Sequence, residues 1–249
     1  MMNIEKLNEL KKQRKSNKAF MIANGGSIAL AKQNLSKLKD CDTIACNGWY
    51  PHGKKVFNFD PTYFCVADCN TFRKNRAFWD NFSDYSKTNC IFSLANQEEE
   101  DFYKYFEKKD VTLIGENNIV AGFAYDGGDK PKKLIKSDKV WDIRRGFFRR
   151  LGIRQDITSL MVMVLLWMGY KEIYVVGVDY QDKYTGYFWD LNRTAFRTGK
   201  KLRGVYSTWS TLKARANRVG SEIYMCNTKK YNKLDQFVRV SFEEAVCKK

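Results

Sequence analysis

The sequence predicts an α/β fold with a doubly wound, mainly parallel sheet and helices on both faces. Short apolar segments of strand length alternate with helical segments along most of the chain, which is the pattern of repeated βαβ units. A chain of 249 residues suffices for one large domain, and its three prolines mark no linker. We therefore expect a single Rossmann-like domain over residues 1–249, with its ligand beyond the carboxyl ends of the strands.

The N-terminal part of the chain supplies the first five predicted strands. An amphipathic helix precedes them, with Ile4, Leu7 and Leu10 at helical spacing. The predicted elements, in chain order, are helix 3–16, strand 19–23, helix 27–38, strands 43–47 and 62–68, helix 72–82, and strands 89–94 and 111–115.

The C-terminal part supplies the other elements and two long irregular segments. Residues 156–168 are apolar nearly all round, which predicts a helix buried in the middle of the fold. The remaining predicted elements are strand 172–179, helix 205–219, strand 222–227 and helix 241–248. Segments 116–153 and 180–204 show no periodicity, and we expect them to form lid-like loops over the ligand.

The charge of the chain favours a polyanionic partner. Lys and Arg number 44 against 28 Asp and Glu, a net charge of +16. The excess is clustered, because residues 130–154 hold ten basic side chains against two acids and residues 193–218 hold eight and no acid. Such clusters attract nucleic acid, anionic lipid or phosphorylated glycans, although a basic surface also serves solubility alone. The side chains expected to bind this partner are Arg144, Arg145, Arg149, Arg150, Arg197, Lys201 and Arg203.

Several classes of protein are disfavoured by what the sequence lacks. Seven scattered cysteines form no Cys-x-x-Cys pair and His52 is the only histidine, so we expect neither a disulfide framework nor a metal site. No apolar run reaches the length of a membrane helix, and the lysine-rich N-terminus lacks the apolar centre of a signal peptide. We expect a protein that stays in the cytoplasm, which for a viral protein is that of the host cell. The oligomeric state stays open.

The turn NGGS at residues 24–27 follows the first predicted strand and precedes a helix. Gly25 and Gly26 allow a tight turn and a close approach to a ligand, while Ser27 is suited to cap the helix. The helix start would then offer free N–H groups to a phosphate, although many such turns contain glycine for geometry alone. After the second strand, Asn47 could bind a base or a sugar, or simply form an Asn-Gly turn.

Hydroxyl, acidic and aromatic side chains stand near the ends of the later elements. Thr158 and Ser159 begin the buried helix, where helix capping and ligand binding are both open. The segment after strand 172–179 carries VDY and several tyrosines, which could hydrogen-bond a phosphate or only pack the loop. No Walker, GxSxG or HExxH motif is present. The candidate general bases are Asp68, Asp179, Asp182 and His52.

Four segments carry a resemblance to known families. SLMVMVLLWMGYKEIYVVGVDY, residues 159–180, resembles the LGYKEIYLxGIDF segment of the bacterial sialyltransferases of glycosyltransferase family 42. NGGSIAL and ACNGWY are similar to that family's GNGPSL and RCNxFY motifs, in the same order. FDPTYFCVAD is closer to the DUF115 group, which includes Maf flagellin glycosyltransferases and archaeal MptE-like pterin pyrophosphokinases and has a P-x-Y-x-x-x-D strand.

The resemblance implies a domain that binds a nucleotide-activated sugar, which is CMP-sialic acid in the sialyltransferases. Asn24, Gly25 and Ser27, with Gly26 in the same turn, would lie along the phosphate, and Asn47 near the nucleotide or the sugar. The resemblance also implies contacts to the nucleotide or to the departing phosphate from Thr158, Ser159, Tyr180, Gln181 and Tyr187.

The sequence departs from the sialyltransferase pattern at the general base. The sialyltransferases use a histidine in a late G-H-S segment, whereas the corresponding stretch here, RGVYSTWS at residues 203–210, contains none. Gly26 also replaces the proline of the family's first motif. An acceptor hydroxyl activated by Asp68, Asp179 or Asp182 would suit an inverting transfer.

Three functions are consistent with these features. The first is a glycosyltransferase that uses a CMP- or UDP-linked sugar, requires no further cofactor and modifies a polyanion such as phage-type modified DNA. The second is an MptE-like diphosphokinase that uses ATP and Mg²⁺, with Asp68 and Asp179 binding the ion through water. The third is a nucleic-acid-binding protein without catalysis. In the first function an extruded base would stack on an aromatic side chain, with Trp141, Phe147, Phe148 and Trp209 available.

Overall fold

An eight-stranded sheet, parallel throughout, organises the part of the chain that the computed structural model describes, which is residues 11–66, 89–93, 112–114, 157–180, 186–192, 199–227 and 234–248. The strands are β1 Lys18–Ile22, β2 Asp42–Cys46, β3 Tyr63–Val66, β4 Asn89–Ser93, β5 Thr112–Ile114, β6 Glu172–Val176, β7 Glu222–Met225 and β8 Val238–Arg239. Their order across the sheet is β5-β4-β3-β2-β1-β6-β7-β8.

Helices lie on both faces of this sheet, as the alternation of apolar segments predicts. Their bounds are α1 Ser27–Leu30, α2 Lys54–Phe57, α3 Ile157–Met168, α4 Gly199–Arg218 and α5 Phe242–Cys247. A 3-10 turn at Leu35–Leu38 and a π-helical turn at Trp49–Gly53 complete the described connections between β1 and β3. The predicted α/β fold with a parallel sheet is therefore confirmed.

The core consists of two layers, one on each face of the sheet. On the first face α3 is buried from Met161 to Met168, and α4 packs beside it through Trp209, Leu212 and Ala216, which share one side of that helix. On the second face Ile28 of α1 and Phe242 of α5 pack with apolar side chains of β1, β2 and β6. Because β1 and β6 are covered on both faces, they consist almost entirely of apolar residues.

The chain reverses its direction of winding between β1 and β6. From β1 it proceeds through β2 to β5 on one side, and it then returns to add β6 directly beside β1. The register pairs Ile22 with Val176, so both strands end at the same level. Open α/β sheets bind ligands at such a topological switch point, beyond the carboxyl ends of the strands. The glycine turn follows β1, and the VDY segment follows β6.

The helix predicted over residues 27–38 is wrong in its length. It ends at Leu30, Lys32 has a left-handed φ of +53°, and a separate 3-10 turn begins after Asn34, whose side chain accepts the Ser36 N–H at 3.1 Å. Buried Gln33 donates to the Cys226 carbonyl at 2.7 Å, which ties this segment to the end of β7. A hydrogen bond from Gln33 to the end of β7 thus takes the place of continued helix.

Other element boundaries differ in ways that matter for the site. The strand predicted to continue to residue 179 ends at Val176, because Gly177 turns the chain with φ +71°. α4 begins at Gly199 rather than at 205, which shortens the predicted loop 180–204. β8 and α2 are short and were not predicted. Helix 72–82, loop 116–153 and most of helix 3–16 lie outside the described residues.

Candidate functional site

The glycine turn after β1 is held by hydrogen bonds within the protein. The N–H groups of Gly25 and Gly26 donate to backbone carbonyls at 2.9 and 3.0 Å. The Ser27 N–H donates to Oδ2 of Asp179 at 2.7 Å. The expectation that this turn presents free N–H groups to a phosphate is therefore wrong, because all three groups already have acceptors.

The prediction that Ser27 caps the following helix is also wrong. Gly26 occupies the cap position of α1, and no side chain caps that helix from there. The Asp179 carboxylate accepts the first helical N–H instead, where a negative charge also interacts favourably with the helix dipole. The Asp179 carboxylate lies so close to the turn that position 25 requires glycine. A Cβ on Gly25 would lie 2.4 Å from Asp179 Oδ2 and 2.5 Å from the Gly177 oxygen.

A buried network supports Asp179 from the far side. Asp179 is 8 % exposed, and its Oδ1 lies 3.4 Å from Nδ2 of Asn227, which also donates to the Val178 carbonyl at 2.9 Å. Arg239 of β8 donates to the Asn227 carbonyl at 2.7 Å. Sequence reasoning missed Asn227, although an asparagine just after a strand is the signal that singles out Asn47. The network makes Asp179 a support for the glycine turn.

A short segment, residues 186–192, crosses the glycine turn, and we call it the strap. Its Phe188 N–H donates to the Asn24 carbonyl at 3.2 Å, and Tyr187 forms an antiparallel bridge with Gly25. The Phe188 side chain is 7 % exposed, with its ring centroid 5.6 Å from that of Phe57. The strap is therefore fixed to both the backbone of the turn and the apolar core.

Trp189 of the strap stacks on two other aromatic rings. Its ring centroid lies 4.4 Å from that of His52 and 4.7 Å from that of Tyr187, with interplanar angles of 11° and 8°. The centroids of the His52 and Tyr187 rings therefore lie no more than about 9 Å apart. Gly48 permits this packing, since a Cβ on it would lie 2.2 Å from Trp189 Cη2. Two candidate catalytic side chains, separated by 135 positions in the sequence, thus meet at one indole.

Three buried side-chain oxygens lie just beyond β1 and β2. They are Asn24 Oδ1, Ser27 Oγ and Asn47 Oδ1, and none of them has a hydrogen-bond partner among the described residues. Asn24 donates through Nδ2 to the Cys46 carbonyl at 3.3 Å, which leaves its Oδ1 as the acceptor. Asn47 adopts a left-handed φ of +43°, as an Asn-Gly turn requires. Buried polar atoms without partners are costly, so these oxygens suit a ligand with hydroxyl or amino donors.

The predicted nucleotide contacts at the start of α3 form a second cluster. Thr158 Oγ1 and the Tyr180 hydroxyl are hydrogen-bonded at 2.5 Å, and both side chains are buried. Tyr206 of α4 donates to the Tyr180 carbonyl at 2.9 Å. Ser159 is 1 % exposed in the same helical turn. Because Tyr180 follows Asp179 directly, this cluster adjoins the switch point.

Neighbouring cysteines lie beneath Asn47 but are poorly suited to catalysis. Cys46 and Cys65 are buried and occupy paired positions on β2 and β3. Burial raises the pKa of the Cys65 thiol well above its usual value, and Cys46 adds to the effect. A neutral, buried thiol is a weak nucleophile, so the polar side chains above are the better candidates for chemistry.

Of the predicted partner-binding residues, the structure describes the side chain of one, Trp209. Trp209 is wrong as a stacking platform, since it is fully buried and its ring packs against those of Tyr180 and Phe237. Lys201 and Arg203 belong to α4, where only the backbone is described. The other predicted residues lie outside the described residues, namely Asp68, Gln181, Asp182, Trp141, Arg144, Arg145, Phe147, Phe148, Arg149, Arg150 and Arg197.

Within the same described ranges, no group of three or more His, Cys, Asp or Glu side chains is arranged to hold a metal ion. No helix of that part of the chain has the length and apolar character to cross a bilayer.

Comparison with known proteins gives matches in structure but not in sequence. No protein-family model matches the chain, and no curated protein matches its sequence. The sialyltransferase CstII from Campylobacter jejuni, in complex with cytidine-5'-monophosphate, is similar with a TM-score of 0.55 and 16 % identity, over 90 % of this chain and 84 % of that one. The monofunctional alpha-2,3-sialyltransferase Cst-I from the same organism has a TM-score of 0.56 and 16 % identity, over 84 % and 75 % of the two chains.

A third similar structure is the Maf glycosyltransferase from Magnetospirillum magneticum AMB-1. It has a TM-score of 0.55 and 11 % identity, over 93 % of this chain and 34 % of that one, so the match spans about a third of the larger protein. At these identities the comparisons establish the fold. The chain has the Rossmann-like fold of the family 42 sialyltransferases and of the Maf glycosyltransferase, as its sequence motifs indicate.

Proposed function

We propose that the protein is a glycosyltransferase that moves a sugar from a nucleotide-activated donor to an acceptor hydroxyl. The observation that carries this proposal is the stack of Tyr187, Trp189 and His52 beside the topological switch point. In this stack a candidate general base and a candidate hydroxyl donor contact the same indole ring. The similarity in fold to sialyltransferases and to a Maf glycosyltransferase supports the same reaction class.

In the proposed reaction, His52 acts on the acceptor hydroxyl and Tyr187 acts on the departing phosphate. His52 removes the proton of the acceptor hydroxyl as that oxygen bonds to the anomeric carbon. The bond from this carbon to the donor's phosphate oxygen breaks, and the Tyr187 hydroxyl stabilises the departing phosphate by a hydrogen bond. Direct attack of the acceptor oxygen on the anomeric carbon, on the side opposite to the leaving phosphate, inverts the configuration at that carbon.

His52 is a better candidate for the general base than Asp179. The Asp179 carboxylate is buried and accepts the Ser27 N–H, so protonating it during catalysis would weaken the bond that holds the glycine turn. His52 is half-buried in the same cluster, and its ring faces the strap. Asp68 and Asp182 remain the alternative bases if His52 is dispensable.

We propose that the donor is CMP- or UDP-linked and that side chains rather than turn amides bind it. The buried oxygens of Asn24, Ser27 and Asn47 would accept hydrogen bonds from hydroxyl or amino groups of the sugar or base. The further nucleotide contacts that we propose come from the side chains of Thr158, Ser159, Tyr180 and Gln181. A CMP-linked donor is favoured, because similar structures were solved with cytidine-5'-monophosphate and with the analogue CMP-3FNeuAc.

We further propose a polyanionic acceptor, with DNA as the first candidate. The net charge of +16 and the clustered basic residues of segments 130–154 and 193–218 support this proposal. The cytoplasm is the proposed location, because nucleic acids are present there and the described cysteines are free thiols.

A thermal-shift experiment with CMP, UDP, GDP, ADP and ATP, each with and without Mg²⁺, tests the donor class. A ligand at 100 times its Kd stabilises the folded state by about 2.7 kcal/mol. Each kcal/mol raises the Tm of a chain of this size by about 2–4 °C. We expect CMP or UDP to stabilise the protein without a metal. Stabilisation by ATP with Mg²⁺ alone would indicate the diphosphokinase, and no response to any nucleotide would indicate a binding protein.

Two variants separate chemistry from binding. Tyr187→Phe keeps the stacked ring and removes only the hydroxyl, and His52→Gln removes the base. With the donor that the screen identifies, we expect each to lower kcat by about 10²–10⁴ while donor affinity changes little. Lys32→Gln, an exposed lysine outside the site, is the matched control. Full activity of His52→Gln would contradict the assigned base.

A further inference from the structure

The amino-terminal end of the sheet carries a basic cavity that the proposed transfer reaction does not use. Its volume is about 520 Å³, and it is lined by Lys11, Lys12, Arg14, Ser16 and Asn17. These residues precede β1, whereas the glycine turn follows it, so the cavity lies at the opposite end of the strand from the candidate site. The five residues of β1 span roughly 16 Å at about 3.3 Å per residue.

Arg14 is oriented by backbone carbonyls rather than by an acid. Its Nη1 donates to the Gly169 carbonyl at 2.7 Å, and its Nε donates to the Lys11 carbonyl at 3.1 Å. The guanidinium carbon also lies 5.5 Å from the centroid of the Tyr170 ring. A guanidinium has five N–H donors, so this fixed group keeps donors at Nη2 for a ligand. Such an oriented fork suits phosphate recognition.

Lys11 adds a second positive charge beside it. Its Nζ lies 3.8 Å from the centroid of a Trp167 ring. Burial lowers the pKa of the Lys11 ammonium, and the nearby charge of Arg14 lowers it further. In the described part of the chain neither Lys11, Lys12 nor Arg14 forms an ion pair with a carboxylate. The cavity therefore gathers three cations, of which Lys11 and Arg14 repel each other.

One buried acid near this cluster offsets part of its charge. One carboxylate oxygen of Asp42, which is 1 % exposed, accepts the backbone N–H groups of Lys15 at 2.8 Å and of Ser16 at 3.4 Å. The bonds to this oxygen fix the path of the chain into β1, and the three cations that line the cavity outnumber this single carboxylate. A compact anion with several negative charges would relieve the repulsion among the cavity cations.

We propose that this cavity binds a compact polyphosphate anion of the pyrophosphate type, at a site separate from the nucleotide-sugar site. Its volume lies within the range of about 300–1,000 Å³ that small-molecule sites occupy. An arginine fork with two flanking ammonium groups provides bidentate and point-charge contacts to clustered phosphate oxygens. This site does not take part in the transfer reaction, so anion binding here can be tested separately from the proposed function.

Calorimetric titration of the full chain with inorganic pyrophosphate at low ionic strength tests the site. We expect binding at one site, weakened at least about tenfold in Lys12→Gln, which removes one charge-assisted contact from an exposed position. Lys32→Gln, which removes an equal charge at the other end of the sheet, should leave the affinity unchanged. No binding by the wild-type protein, or equal weakening in the two variants, would overturn the proposal.

Saturation with CMP separates this site from the nucleotide-sugar site. We expect the affinity for pyrophosphate to be the same with and without CMP, because the two sites lie at opposite ends of β1. Competition between the two ligands would overturn the proposal, since it would place pyrophosphate at the switch point. Pyrophosphate binding that depends on Lys12 would persist even if no nucleotide binds, which distinguishes failure of the proposed function from failure of this inference.

Discussion

At the scale of single residues, the close approach of Gly25 to Asp179 determines how the glycine turn is held. A Cβ at position 25 would lie 2.4 Å from a carboxylate oxygen and 2.5 Å from the Gly177 carbonyl oxygen, and the second of these is backbone. We therefore expect Gly25→Ala to lower the free energy of unfolding by about 1–3 kcal/mol, as overpacking does. Urea denaturation of the purified variant measures this change.

Asp179→Ala supplies the control for that experiment. It removes one of the two groups that a Cβ on Gly25 would meet, so Gly25→Ala should cost less in this background than in the wild-type protein. An equal cost in both backgrounds would mean that the carboxylate does not limit the turn. Asp179→Ala alone should also be destabilising, because it leaves the buried Ser27 N–H without its acceptor.

At the scale of elements, α5 carries a complete capping box. The Ser241 hydroxyl accepts the Glu244 N–H at 3.1 Å, and the Glu244 carboxylate accepts the Ser241 N–H at 2.8 Å. These bonds from the Ser241 backbone and hydroxyl lower the pKa of Glu244. The folded state is therefore stabilised above the carboxyl's pKa in the unfolded chain, and this contribution is lost as pH falls through the lowered pKa.

Ser241→Ala tests the capping box. We expect a loss of about 1 kcal/mol in the free energy of unfolding near neutral pH, which is typical of a lost N-cap. The difference from the wild-type protein should shrink at acid pH, where Glu244 is protonated in both proteins. Thermal unfolding between pH 7 and pH 3 measures both effects. A difference that does not change with pH would contradict the assigned role of Glu244.

The strap depends on one aromatic anchor. Phe188 packs against Trp49 and Phe57, whereas Leu191 of the same segment is 42 % exposed. We expect Phe188→Ala to cost about 3 kcal/mol of stability and to lower transferase activity, because Tyr187 and Trp189 lose their support. Leu191→Ala should change the stability by less than about 0.5 kcal/mol. Denaturation and activity assays of both variants show whether Phe188 in particular holds the strap or whether any apolar side chain of the strap has the same effect.

A strand that is buried on both faces consists mainly of apolar residues, so the apolar segments of the sequence predict the strands well. The seven strands β1 to β7 each start within one residue of a predicted strand. The break after Leu30 was not predictable, because it depends on Gln33 bonding to Cys226, which is distant in the sequence. The strap has no periodicity of its own, and its conformation follows from the backbone of the glycine turn.

At the scale of the whole molecule, sheet topology explains which site residues the sequence can reveal. The ends of parallel strands meet at one edge, so Asn24, Asn47 and Asp179 could be placed together from their positions after predicted strands. Their partners could not be predicted. Asp179 bonding to Ser27, and His52 stacking on Trp189, depend on the order β2-β1-β6 and on the path of the strap.

The net charge makes a prediction for the molecule as a whole. If the seven proposed basic side chains each neutralise one phosphate, the affinity for single-stranded DNA should fall with salt at a slope near −5 in log K against log salt, at about −0.7 per phosphate. Fluorescence anisotropy with a labelled oligonucleotide between 50 and 300 mM salt measures this slope. Arg149→Gln or Arg150→Gln should each reduce its size by about 0.7, whereas Lys32→Gln should not. No DNA binding at 50 mM salt would exclude DNA as the acceptor, and the charge would then serve another polyanion or solubility.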